Sequence, residues 1–207
     1  MNVLRIFALL SLVLLVPVQA SAEYDAGIEY KVLSTPQPTS DGSKVEVLEL
    51  FWYGCPHCFH FEPYLKAWLK KKPKNVVFVR IPAIFSPSWG LHAQAFYTAK
   101  ALGVVDKVHE ALFEAAQSRH LSNVDQVRKV FVDHGIKAGD FNDAWNSFGV
   151  ASWVRRAADL TKRYNIEGVP SLVINGKYVT DGPMANGYEG VLKVTDYLIK
   201  KEAAKLK

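Results

Sequence analysis

The sequence predicts an α/β fold in which a strand–helix–strand unit is parted from a closing β-hairpin and helix by a long all-helical block. Three observations carry that expectation. Apolar runs rich in β-branched residues, at 44–53 and 75–81, flank a helical pattern; helical periodicity then continues unbroken from about 88 to 164; and Asn175-Gly176 joins two short strand-like segments.

The first 22 residues stand apart. Arg5 supplies a charged start, Ile6 to Val18 an apolar stretch, and Ala20-Ser21-Ala22 a small-residue cleavage site, the pattern of a secretory signal peptide. The apolar stretch is shorter than the roughly 20 residues that span a bilayer, and Pro17 lies near its end. Further along the chain, "YKVL" (30–33) reads as a short strand and "KVEVLELFWY" (44–53) as a buried one, broken by Gly54. From Pro56 to Lys72 the pattern is helical, with Phe61, Leu65, Trp68 and Leu69 on one face. Pro56 suits a first helical position, and Pro63 is expected to kink the helix by removing the bond to the Phe59 carbonyl. "NVVFVRI" (75–81) is the next buried strand, parallel to 44–53.

The helical block shows successive apolar stripes. Leu91, Ala95, Ala99 and Leu102 end at Gly103, and Val105, Val108, Leu112 and Ala115 form the second stripe. Ser122 with Asp125 reads as a capping box ahead of Val124, Val127 and Phe131, with Gly135 as the stop. Phe141, Ala144, Trp145 and Phe148 make a fourth stripe, and Ala151, Val154 and Ala158 begin a fifth. "SLVI" and "KYVT" then form the hairpin, and a last helix from about Gly187 to Ala203 carries Val191, Val194, Leu198 and Ile199. The expected division is a signal peptide over 1–22, one α/β domain made of 23–87 and 165–207, and a helical insertion over 88–164.

Charge argues against a nucleic-acid partner. Without Arg5, 24 basic residues face 20 acidic ones, and the positive run "KAWLKKKPK" (66–74) reads as a solvated helix end rather than a phosphate-binding surface.

The chemistry points to "FWYGCPHCFHF" (51–61), which holds the only two cysteines, Cys55 and Cys58. In an exported protein a structural disulfide gains most by closing a long loop, so a bridge over two residues is a poor staple. Zinc would need four ligands, yet there is no second CxxC, and His92, His109, His120 and His134 are scattered over separate helical segments. Haem attachment needs a histidine directly after the second cysteine, where Phe59 stands. What remains is thiol chemistry at a helix N-terminus. Cys55 follows a strand and a glycine and precedes Pro56, so its sulfur lies beside unpaired backbone N–H groups at the positive end of the helix dipole. His57 can add a donor or a positive charge, favouring the thiolate that attacks or leaves in disulfide exchange; Cys58, one turn inward, is the shielded resolving thiol. Pro170, in "EGVPSLVING", either merely opens an edge strand or sits beside the 45–52 strand, level with Cys55.

The signal peptide, "CPHC", "GVPS" and the helical block together resemble a DsbA-type periplasmic thiol:disulfide oxidoreductase of the thioredoxin superfamily, across essentially all of the mature chain. The resemblance implies a thioredoxin fold with an inserted helical domain, and no bound cofactor or metal beyond a redox-active Cys55–Cys58 disulfide. It makes Cys55 the nucleophile, Cys58 its partner, and Pro56 and His57 residues that tune the pair. Val169 and a cis Pro170 would form the loop against which substrate peptide lies in a strand-like contact. Glu49 matches the family's buried acid and Glu62 a second carboxylate near the site. In a buried strand Glu49 is costly unless paired or protonated; if buried, its pKa is raised and it can carry a proton for Cys58, with Arg80 on the neighbouring strand as a partner. Lysine more often stands in Arg80's place, and arginine is expected to hold the acid charged more firmly.

The implied function is donation of the disulfide to folding exported proteins that carry cysteines, by a periplasmic monomer reoxidised by a DsbB-type, quinone-linked membrane partner. Two alternatives stand beside it. One is an isomerase or reductase, disfavoured because only about 32 residues lie between Glu23 and Cys55, too few for an added dimerisation segment. The other is a non-catalytic peptide-binding chaperone with an inert disulfide. Substrate specificity is expected from apolar surface around Trp52, Phe59 and the 168–170 loop.

Overall fold

The computed structural model describes residues 23–206, so the expected signal peptide, 1–22, lies outside the described residues. Five strands, β1 (Lys31–Val32), β2 (Val45–Phe51), β3 (Val76–Pro82), β4 (Ser171–Ile174) and β5 (Tyr178–Asp181), form one mixed sheet in the order β1-β5-β4-β2-β3. β2 pairs parallel with β3 and antiparallel with β4, placing Glu49 between Arg80 on one side and Leu172 on the other. α1 (Pro56–Leu69) connects β2 to β3 and runs on through Pro63. α2 (Pro87–Ala101), α3 (Val105–Gln117), α4 (Val124–Asp133), α5 (Ala138–Trp145) and α6 (Phe148–Arg163) follow between β3 and β4, and α7 (Tyr188–Ala203) closes the chain.

Every residue of β2 is buried, because helices cover both faces of the sheet. Alternation sends Val45 and Val47 to the face where Phe61 and Leu65 of α1 pack with Val191, Val194 and Leu198 of α7; Leu48 and Leu50 face the helical block instead. Each fully buried Leu or Phe in these layers contributes about 2 kcal/mol of transfer free energy. The hairpin turn has Asn175 at φ 51° and Gly176 at φ 64°, the left-handed pair that Asn-Gly adopts readily. Only glycine fits there, since a Cβ on Gly176 would lie 2.1 Å from the Gln37 carbonyl oxygen.

Three local expectations are corrected. The cap of α4 is Asn123, not Ser122: its side chain accepts the Gln126 N–H at 3.0 Å, while the Gln126 amide oxygen accepts from the Ser122 N–H and hydroxyl. The box is not reciprocal: Gln126, rather than Asp125, reaches back, but to Ser122 and not to the Asn123 N–H. Phe148 does not extend the stripe of Phe141 and Trp145. Ser147 caps a new helix, accepting the Val150 N–H at 3.2 Å, and Phe148 at its first position is 81% exposed. The inner face of α6 is accordingly Val150, Ala157 and Thr161; Ala151, Val154 and Ala158 are half-buried.

Candidate active site

The site forms where β2 ends and α1 begins. Cys55 is the N-cap residue of α1, in extended backbone, with Pro56 at the first helical position. The turn before it is tight: a Cβ on Gly54 would lie 2.3 Å from the Trp52 ring. That ring stacks on Trp89 (centroids 4.1 Å apart, planes at 7°) and lies beside His92. Trp52 is thus half-buried in an aromatic stack next to the turn that leads into Cys55.

The two thiols are unbridged, and both are buried, Cys58 completely. Their acidities diverge. Cys55 is lowered to about 6, chiefly by the Cys58 thiol that can donate to its sulfur; burial opposes this, and the backbone N–H groups of Cys58 and His57 and the charge of His57 add to it. Cys58 is pushed well above the usual thiol range, first by burial and then by Cys55 itself. The neutral Cys55 S–H donates to the Val169 carbonyl at 3.4 Å and takes no cap bond from the first turn, so those N–H groups come into play when the sulfur ionises. His57 acts mainly through its backbone. Its Nδ1 lies 3.3 Å from the Tyr188 hydroxyl.

The Val169-Pro170 bond is cis, and the 168–170 loop lies against Cys55. A groove of about 370 Å³ beside it is lined by His57, Val169, Pro170, Asp181, Pro183 and Tyr188. Across Tyr188 a second groove, of about 450 Å³, runs along α1 between Phe59, Pro63, Tyr64, Glu110 and Phe113. Nothing in the sequence marked Tyr188, which stands 133 positions after Cys55 at the start of α7.

Beneath α1 lies a polar cluster. Glu49 is fully buried, not at an edge, and Arg80 donates to its Oε2 through Nε at 2.9 Å; Oε1 has no partner. Arg80 directs Nη2 to both oxygens of Glu62, at 2.9 and 3.0 Å. His109 of α3 reaches Glu62 Oε1 with Nε2 at 3.4 Å and the Tyr53 hydroxyl with Nδ1 at 2.8 Å. Burial lifts Glu49 to about 7, the charge of Glu62 lifting it further against the pull of Arg80. Arg80 pulls the acid down, but one N–H to one oxygen does not offset desolvation, and the pKa is raised as expected of a buried Glu49. Glu62 goes the other way, lowered although burial opposes it, because His109 and Arg80 both donate to it. Sequence reasoning anticipated Glu49, Glu62 and the Arg80–Glu49 pair; it missed that Arg80 bridges two acids, and it missed His109 and Tyr53.

A family model described as DSBA-like thioredoxin domain matches residues 46–198. The chain belongs to the DsbA family. It is 42% identical over 210 residues to the thiol:disulfide interchange protein DsbA of Pseudomonas aeruginosa, with all of both chains covered, and 43% identical over 183 residues to that of Azotobacter vinelandii, covering 87% of this chain and 86% of the relative. The crystal structure of Pseudomonas aeruginosa DsbA superposes with a TM-score of 0.84 at 43% identity, covering 88% of this chain and 96% of that one. The oxidoreductase DsbA from Xylella fastidiosa gives 0.81 at 31% identity over 87% and 98%. As a DsbA-family member the chain has the thioredoxin-like fold with its helical insertion, and is a thiol:disulfide oxidoreductase whose substrates are proteins with cysteines.

Proposed function

We propose that Cys55 and Cys58 are the redox group, with no bound cofactor, and that the chain donates their disulfide to exported proteins as they fold. The observation that carries this reading is the split between a thiol lowered to about 6 and a neighbour raised well above the usual range. A substrate thiolate attacks the Cys55 sulfur. The S–S bond breaks, its electron pair leaves on Cys58, and that sulfur takes the proton of Glu49. A second substrate thiolate then attacks the substrate sulfur of the mixed disulfide and expels Cys55 as the stabilised thiolate. The substrate loses two electrons, and the Cys55–Cys58 pair gains them.

With its pKa near 7, Glu49 can both give and take a proton. Its bare Oε1 is the atom free to receive that proton. Reoxidation runs the steps in reverse: Cys55 attacks a partner's disulfide, Glu49 takes the proton of Cys58, and Cys58 displaces the partner's sulfur. Pro56 and His57 tune Cys55, Glu62 steadies Arg80, and Val169 and Pro170 hold the substrate chain beside the sulfur. A DsbB-type, quinone-linked membrane protein is the fitting oxidant, and the periplasm, reached through a cleaved 1–22 signal, the fitting compartment for a monomer.

Cysteine replacement tests the roles. Cys58→Ser accumulates mixed disulfides with substrate chains and Cys55→Ser accumulates none. The opposite pattern would reverse the assignment. Alkylation of the reduced protein at pH 6 separates an enzyme from an inert chaperone, because only an activated thiol reacts there.

A further inference from the structure

His109 is an unusual group to find where it is. It is buried on α3, 47 positions from the carboxylate it touches, with the rings of Phe51, Phe96 and Phe113 around it. Burial in that setting holds the imidazole neutral, opposing the pull of Glu62, so it carries one N–H. Its tautomer follows from its partners. Glu62, an ionised carboxylate, can only accept, so the ring proton sits on Nε2, and Nδ1 is left to accept from the Tyr53 hydroxyl, which burial keeps protonated. Glu62 Oε1 thus faces two donors, His109 Nε2 and Arg80 Nη2, and Oε2 faces the same Nη2.

That arrangement decides where Arg80 points. Its guanidinium is a planar fork whose bonds come in a fixed geometry. While Nη2 is held by Glu62, Glu49 receives Nε alone, and Oε1 stays bare. We propose that His109, oriented by Tyr53, is a positioning residue for thiol–disulfide exchange: by fixing Glu62 as the carboxylate that holds the Arg80 fork, it leaves Glu49 one open oxygen to carry the Cys58 proton. This rests on Glu49 being that proton carrier. Take away the His109 N–H and Glu62 loses a donor and some of its claim on Nη2. The fork turns toward Glu49, Oε1 is filled, and the acid is held as carboxylate.

The groups that face Glu49 are Arg80 from β3, Cys58 and Glu62 from α1, and Tyr53 from the segment after β2. His109 acts from α3 through Glu62; Lys66 of α1 bears on His109 but is paired with Glu110 at 2.9 Å.

The test is the titration of Glu49 in the reduced full chain, followed by the infrared band of the protonated carboxyl that Glu49→Gln removes. His109→Phe, apolar and ring-shaped, lowers the midpoint by one pH unit or more. His109→Gln, whose amide can still donate to Glu62, restores it. A purely structural histidine would cost stability in His109→Phe and leave the midpoint where it was. An unmoved midpoint in His109→Phe overturns the proposal; if that variant does not fold, an unmoved midpoint in Tyr53→Phe overturns it equally. Attack of Cys58 on the mixed disulfide formed during reoxidation, the step in which Glu49 takes the Cys58 proton, separates the two readings. If Glu49→Gln resolves at wild-type speed while His109→Phe still moves the midpoint, the proton-carrier role fails and the positioning of Arg80 by Glu62 and His109 stands.

Discussion

Glu202 at the hairpin end of the molecule and Glu49 at the active-site end are both almost closed to solvent, 1% and 0% exposed, but Glu202 lies shallower, beneath half-exposed lysines, and their acidities part by several pH units. Burial raises both. Glu202 collects Asn175 Nδ2 at 2.8 Å, the Tyr178 hydroxyl at 3.0 Å, and the ammonium groups of Lys177 and Lys205, and these donors bring it down to about 2. Glu49 collects one N–H on one oxygen and stays near 7. A shallower seat and several donors together separate a carboxylate that ties α7 to the hairpin from one able to move a proton at neutral pH.

Removing Glu202 is expected to have the largest effect. Its pKa is depressed, so its stabilisation is complete above the usual carboxylate range and is lost as pH falls from about 4.5 toward 2. Glu202→Ala therefore costs about 3 kcal/mol at pH 7, somewhat lowered by the exposure of its lysine partners, and leaves the Cys55 titration unchanged; denaturant midpoints and thiolate absorbance check the two halves. Glu49→Gln has the opposite sign. A raised carboxyl pKa costs stability progressively as pH climbs from about 4.5 to 7, so the glutamine variant is the more stable at pH 8, by about 2 kcal/mol, and its stability is flatter between pH 5 and 8. Its resolution of the mixed disulfide formed during reoxidation, where Cys58 must lose its proton to attack, is slower, as rapid quenching would record. The smallest change is Asn175→Gly, which keeps the left-handed turn, removes one of several donors to Glu202 and costs about 1 kcal/mol, with no change in exchange rate.

Legibility in the sequence followed the distance over which each signal acts. The CxxC, its leading strand and glycine, and the proline at the helix start are contiguous, so the helix N-terminus and the identity of the two thiols could be read directly. The Asn-Gly hairpin was equally local. Glu49 was readable because a carboxylate inside a run as apolar as "VEVLELF" demands a partner, and the parallel strand pair offered Arg80 at the matching register. His109 offered no such signal. It sits at an inward position of α3, a helix whose packing against α1 is set by the whole insertion, and a histidine within an apolar stripe reads as core. Tyr188 and Tyr53 were invisible for the same reason. Phe148 misled because an apolar residue three positions after Trp145 continues a stripe on paper, while Ser147 starts a new helix.

Exchange chemistry here depends on two thiols, three residues apart, held at opposite ends of the titration range. The most direct test is the absorbance of thiolate in the reduced full chain as pH is raised, with Cys58→Ser as the reference for a single sulfur. One thiolate should form with a midpoint near 6, belong to Cys55, and be joined by no second one through pH 8.5. A single midpoint near the ordinary thiol value of about 8.5, or two thiolates rising together, would contradict it.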